Sequence, residues 1–148
     1  MLRKILIVED NAINRRVLNH TLSRYYDVLE AEDGAVALEL IKRYHKELSV
    51  ILTDVVMPNM DGYELLHHVR ESAELSQLPV IMVTGAEDEE SRVKALMLGA
   101  NDFIQKPINP EIMLHCVKNN IALRETAAVL NAIQKDKLTG LYTREAFF

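Results

Sequence analysis

Three acids, a hydroxyl and an amine stand at or just after the ends of short apolar runs in this 148-residue chain. Glu9-Asp10 follows Lys4–Val8, Asp54 follows Val50–Thr53, Thr84 closes Val80–Thr84, and Lys106-Pro107 follows Asp102–Gln105. Three carboxylates brought together repel one another unless a cation sits among them. An all-oxygen donor set, with no His or Cys nearby in sequence, favours Mg²⁺ or Mn²⁺ over zinc. Mg²⁺ keeps several waters and takes only one or two carboxylates, which leaves room for a phosphoryl oxygen. An Asp carboxylate can act as a nucleophile and form an acyl phosphate. Lys106 would balance the other side of the transferred group and Thr84 would donate a hydrogen bond to it, so that positioning and charge neutralisation carry the transfer. Taken singly, an Asp at a strand end is ordinarily a helix cap and a Lys-Pro a solvated loop. The coincidence of five positions carries the reading.

These side chains meet only if the chain alternates strands with helices. The strand-like runs are Lys4–Val8, Asp27–Ala31, Val50–Thr53, Val80–Thr84 and Asp102–Gln105. Four of them are rich in Val and Ile and three are apolar nearly throughout, as suits central parallel strands covered on both faces. Between them, Ile13, Val17, Leu18 and Leu22, then Ala37, Leu38 and Ile41, then Leu65, Leu66 and Val69, then Val93, Leu96 and Met97 recur at helical spacing. Asp33-Gly34, Asp61-Gly62 and Asn109-Pro110 offer helix starts, and Gly99 offers a stop after the fourth helix. Alternation of this kind implies right-handed crossovers and a parallel sheet with helices on both faces. In such a sheet ligands bind beyond the C-terminal strand ends, where the five chemical positions lie.

Composition narrows the function classes. A net charge of -5 argues against non-specific nucleic-acid binding. The single cysteine, Cys116, excludes an internal disulfide and offers no zinc spacing; a small buried apolar role on a helix is expected. His67, His68 and His115 fall on helical segments without metal spacing and read as surface or interface residues. The opening apolar run is too short for a signal peptide or a membrane span, so a cytoplasmic, soluble protein without membrane association is expected.

Four blocks of sequence resemble the receiver domain of two-component response regulators over residues 2 to about 122. They are Ile5 to Asn11 (ILIVEDN), Leu52 to Gly62 (LTDVVMPNMDG), Met82 to Gly85 (MVTG) and Gly99 to Pro107 (GANDFIQKP). The resemblance implies a flavodoxin-like, doubly wound α/β fold with a five-stranded parallel sheet in the order 2-1-3-4-5, here with an extended C-terminal helix. Asp54 would accept phosphate from a histidine kinase or phosphotransfer protein. Asp10 and Asp54 would ligate Mg²⁺ directly, Glu9 through water, and Val56 through its backbone carbonyl. Thr84 and Lys106 would bind the phosphoryl oxygens, and Phe103 would be the switch aromatic that moves inward as Thr84 closes. The Lys106-Pro107 peptide would be cis. Val56 and Ala86, two residues beyond Asp54 and Thr84, lie where the family tunes access of water, and two apolar side chains there predict a long-lived phosphorylated state.

From Pro110 to about Asp136 the chain lacks further Gly or Pro, a run about 40 Å long if wholly helical. Ile112, Met113, Val117 and Ile121 would pack on the sheet; beyond them Leu123, Leu130 and Ile133 are compatible with a short coiled-coil seam or with a helix that overhangs the domain. A turn is expected at residues 137–142, and an ending on Phe147-Phe148 directly after it reads as a cut. Residues 136–147, DKLTGLYTREAF, are similar to the opening of a GGDEF domain, with Thr143 where that family usually has Asn. The expected organisation is a receiver over 1–122, a linker helix over 123–135 and the start of a GGDEF-type output domain over 136–148. The fragment is then no enzyme itself. Its parent would be a response regulator with a diguanylate cyclase output, or one with a different or degenerate output, that forms a homodimer through the fourth helix, fifth strand and fifth helix on phosphorylation. A haloacid-dehalogenase-type phosphatase is disfavoured because Val56 stands where that class needs a second Asp, and a pseudo-receiver because the acidic set and Lys106 are complete.

Overall fold

The computed structural model describes the backbone of residues 2–85 and 89–140, and side chains as far as Thr126. Strands and helices alternate without exception: β1 (Lys4–Val8), α1 (Ala12–Leu22), β2 (Asp27–Ala31), α2 (Gly34–Tyr44), β3 (Leu48–Asp54), α3 (Gly62–Glu71), β4 (Val80–Thr84), α4 (Glu89–Met97), β5 (Asp102–Gln105) and α5 (Pro110–Gly140). The sheet is wholly parallel in the order β2-β1-β3-β4-β5, the flavodoxin-like arrangement. The apolar runs expected as central strands, β1, β3 and β4, occupy the three inner places.

Alternate residues of those strands feed two cores. Leu6, Val8, Ile51 and Met82 pack with Ala37, Ile41, Leu65 and Val69 on the face covered by α2 and α3. Ile5, Ile7, Leu52 and Val83 pack with Leu18, Leu22, Met113 and Val117 on the face covered by α1 and α5. Successive side chains of a strand point to opposite faces, so nearly every residue of these strands can be buried.

Helix starts follow the capping chemistry. Asp33 accepts from the Val36 N–H, Asp61 from the Glu64 N–H, and Asn109 from the N–H groups of Glu111 and Ile112. Gly99 ends α4 with φ of 104°, a conformation that favours glycine.

Ile13, Val17, Val93, Leu96 and Met97 keep their helical spacing but are exposed, and α4 buries only Ala95. Three expectations need correction. On α5, Met113, Val117 and Ile121 make the sheet contact without Ile112, because Ile112 falls on the opposite side of that helix. Residues 137–140 continue α5 as helix instead of turning, since neighbouring backbone bonds outweigh one terminal glycine; 141–148 lie outside the described residues. Cys116 is only half-buried and donates its thiol hydrogen to Asp102 Oδ2 at 2.9 Å; burial, then the Asp102 carboxylate, pushes its pKa up to about 12.

Candidate functional site

β1 and β3 run side by side with Val8 opposite Thr53, so the residues that follow, Glu9 and Asp54, come to the same sheet edge. The connections leaving β1 and β3 pass to opposite faces, α1 on one and α3 on the other, and open a crevice between them. β4 delivers Thr84 to that edge, buried, and β5 delivers Lys106, whose N–H donates to the Thr84 carbonyl at 2.8 Å. The Lys106-Pro107 peptide is cis.

Glu9, Asp10 and Asp54 each offer a carboxylate oxygen within 4.8 Å of the other two. Glu9 is 2% exposed and Asp54 7%, while Asp10 faces solvent. Lys106 Nζ reaches in from the β5 side to 3.1 Å from Asp54 Oδ2 and 3.5 Å from Glu9 Oε1. Asp54 Oδ1 accepts from the Val55 N–H at 2.9 Å. One ammonium faces three carboxylates, two of them buried, so the cluster is short of positive charge. Burial raises the pKa of Glu9 and the neighbouring Asp54 charge adds to this, against the pull of the Asn11 N–H and Lys106. For Lys106, burial works toward a lower pKa but is outweighed by its contacts with Asp54 and Glu9, so it is held above its usual value. An oxygen-only donor set with a charge deficit and one solvent-facing carboxylate fits a hard divalent cation of the Mg²⁺ kind.

The other expected positions sit around this cluster. Val56 is 76% exposed, two residues past Asp54. Phe103 lies on β5 opposite Met82, half-buried against the α2–α3 core rather than among the carboxylates. Ala86 lies outside the described residues.

Several contacts at the site had no signature in sequence. A Cβ on Gly62 would stand 2.4 Å from the Asp54 carbonyl oxygen and 3.0 Å from Val55 Cα, so glycine is required by a close backbone approach. The Asp61-Gly62 pair signalled a cap, and nothing in it signalled this second demand. The Asn11 N–H donates to Glu9 Oε2 at 3.2 Å, and Arg15 Nη1 donates to the Glu9 carbonyl at 2.8 Å. Asn59 adopts φ of 67° and donates to Asp33, tying the loop after β3 to the start of α2.

Comparison with known proteins points one way. Residues 5–118 match the profile of the response regulator receiver domain. Chemotaxis protein CheY1 of Helicobacter pylori is 38% identical over 112 residues, 74% of this chain and 90% of that protein. The probable transcriptional regulator ycf27 of Porphyridium aerugineum is 42% identical over 109 residues, 73% of this chain but 43% of that protein. A probable cyclic di-GMP phosphodiesterase of Vibrio cholerae is 31% identical over 126 residues, 85% of this chain and 28% of that protein. Among solved structures, a CheY-like response regulator receiver domain protein of Methanospirillum hungatei superposes with a TM-score of 0.75 at 30% identity, covering 86% of this chain and 99% of that one.

Proposed function

The chain belongs to the response regulator receiver domain family, the phosphorylation-activated switches of two-component signalling, and from that premise we propose that Asp54 is its phosphoryl acceptor. The observation that carries this is the convergence on Asp54 of two further carboxylates and an ammonium at 3.1 Å. An Asp54 oxygen attacks the phosphorus of a phosphohistidine on a histidine kinase or phosphotransfer protein. The new P–O bond forms as the P–N bond breaks, and the imidazole leaves with its electron pair. Lys106 neutralises charge on the phosphoryl oxygens, and the Thr84 hydroxyl donates to one of them. Glu9, Asp10, Asp54 and the Val56 carbonyl would hold Mg²⁺ (or Mn²⁺), which when bound neutralises charge on the transferring group.

Thr84 and Phe103 form the switch, Thr84 closing on the phosphoryl group and Phe103 moving inward. The phosphorylated domain pairs with a second copy through α4, β5 and α5. The exposed Val93, Leu96 and Met97 on α4, with Ile112 on α5, support that face as the one to be covered. Phosphoryl contacts made in only one of two states bias the population toward the pair. Val56, apolar and exposed, cannot orient an attacking water through a side-chain hydrogen bond, so the phosphorylated state is long-lived.

The output is a GGDEF domain making cyclic di-GMP in a longer parent, with 1–122 as receiver, 123–135 as linker helix and 136–148 as the start of the output. The DKLTGL motif, which begins within the last turns of the long helix that leaves the receiver, supports this; a different or degenerate output is the alternative, and the relatives themselves carry different printed functions. Acetyl phosphate with Mg²⁺ should add the mass of one phosphoryl group to the chain and none to Asp54→Ala; no mass gain in the unaltered chain defeats the acceptor reading. A G-G-[DE]-E-F segment found downstream in the parent supports the cyclase output, and a parent sequence without it rejects that part alone.

A further inference from the structure

The turn from β1 into α1 contains only Glu9, Asp10 and Asn11, and it carries two of the three clustered acids. Besides the Lys106 contact to its Oε1, Glu9 is held at three points. Its N–H donates to the Ala31 carbonyl at 3.0 Å, its Oε2 accepts from the Asn11 N–H at 3.2 Å, and its carbonyl accepts from Arg15 Nη1 at 2.8 Å. The third contact bears on Asp10. A peptide unit is planar, so fixing the direction of the Glu9 carbonyl fixes the Asp10 nitrogen and the Asp10 Cα with it. Asp10 itself faces solvent, without the packing that seats Glu9 and Asp54.

Arg15 is braced for this role. Its Nε donates to Glu30 Oε1 at 2.9 Å, and the second oxygen of Glu30 accepts from the Asn19 side chain. Glu30 stands on β2 opposite Ile7 of β1, so the brace is anchored on the strand beside the acidic turn. The guanidinium presents a planar fork of donors, and here one part of it grips the carbonyl while another is locked by a carboxylate.

We propose that Arg15 is a positioning residue for the divalent-cation site, setting through the Glu9 carbonyl where the Asp10 carboxylate is presented. The proposal rests on the reading of Glu9, Asp10 and Asp54 as that site. A second effect of opposite sign makes it sharp. The positive charge of Arg15 near the acids opposes cation binding, so a purely electrostatic role predicts tighter binding once it is removed. Its pairing with Glu30 cancels much of that charge, and positioning dominates.

The test measures Mg²⁺ binding to the full chain by calorimetry, beside the unfolding midpoint in EDTA, for the unaltered protein, Arg15→Ala, Arg15→Lys and Glu30→Gln. Arg15→Ala raises the Kd for Mg²⁺ by on the order of 10-fold, as loss of groups that orient metal ligands does. Arg15→Lys recovers part of the affinity, because an ammonium can reach the carbonyl but not both partners. Glu30→Gln leaves the carbonyl donor in place and weakens binding less than Arg15→Ala, and it keeps the test available if Arg15→Ala does not fold. An Arg15→Ala protein that folds and binds Mg²⁺ as tightly as, or more tightly than, the unaltered chain overturns the proposal, whatever its midpoint in EDTA. Failure of the unaltered chain to bind Mg²⁺ rejects the cation site itself.

Discussion

Arg124 Nη1 donates to the Leu48 carbonyl oxygen at 2.9 Å, which ties α5, the helix that carries the chain away from the sheet, to the first residue of the strand ending in Asp54. A second, longer contact reaches the Ser49 carbonyl at 3.5 Å. One residue on, Glu125 makes a double contact with Arg3 at 2.6 and 2.8 Å, exposed to solvent on both sides. Exposed pairs of this kind contribute little, whereas a charged donor on partly buried carbonyls contributes more. Of these two polar ties, Arg124 therefore contributes the more to holding this part of the helix.

Arg124→Ala should cost about 1.5–3 kcal/mol in urea unfolding, the range for hydrogen bonds that involve a charged group. Hydrogen exchange should quicken for the α5 amides of residues 121–126 more than for those around Met113. Uniform protection along α5 in the variant would show that the helix is seated by its apolar contacts alone.

Gly62→Ala tests the close approach beneath Asp54. In an unconstrained helix the change would stabilise by up to about 1 kcal/mol. Here the new methyl meets backbone atoms at 2.4 and 3.0 Å, which cannot swing aside. Overpacking of about 1–3 kcal/mol should dominate, with slower phosphoryl uptake because Asp54 shifts. A variant as stable as the parent would refute the steric account.

Lys106→Ala removes the ammonium that lies 3.1 Å from Asp54 Oδ2. Loss of one preorganised electrostatic partner should slow phosphoryl uptake from acetyl phosphate by on the order of 100-fold. The rate of mass gain with time is the measurement. An unchanged rate would place Lys106 outside the transfer chemistry.

Asp33 gives a pH dependence whose sign is fixed. The Val36 N–H, then the Asn59 amide, hold its carboxyl below the ordinary value of 3.8. A carboxylate with a depressed folded pKa contributes stability above its unfolded pKa and loses it as pH falls through the folded one. Asp33→Ala should therefore cost about 1 kcal/mol at neutral pH, the usual worth of a helix cap. The gap to the parent should narrow as the pH falls below the ordinary carboxylate value and through the lowered one of the folded protein, where the parent's cap becomes protonated. Thermal unfolding of both proteins at several pH values shows this, and a constant gap would contradict it.

Local chemistry was legible in the residues themselves. Short apolar runs located all five strands to within two residues at each end, and the three inner ones were the clearest because a strand covered on both faces is apolar nearly throughout. Asp33, Asp61 and Asn109 marked helix starts because their short side chains satisfy N–H groups only a few residues away. The acids, hydroxyl and amine were legible because strand ends in a parallel sheet share one edge.

What only the tertiary structure decided depends on groups far apart in sequence. Helical spacing made Val93, Leu96 and Met97 one apolar stripe, but spacing does not state whether a sheet lies beneath it, and here the stripe faces outward. Gly62 and Arg15 matter through approaches to the Asp54 and Glu9 carbonyls, and backbone carbonyls are the same in every residue type, so no side-chain pattern could announce them. The residue types determined which chemistry could gather at the sheet edge. The distances at which Asp54, Glu9, Asp10 and Lys106 face one another followed from strand register and packing, which are properties of the whole fold.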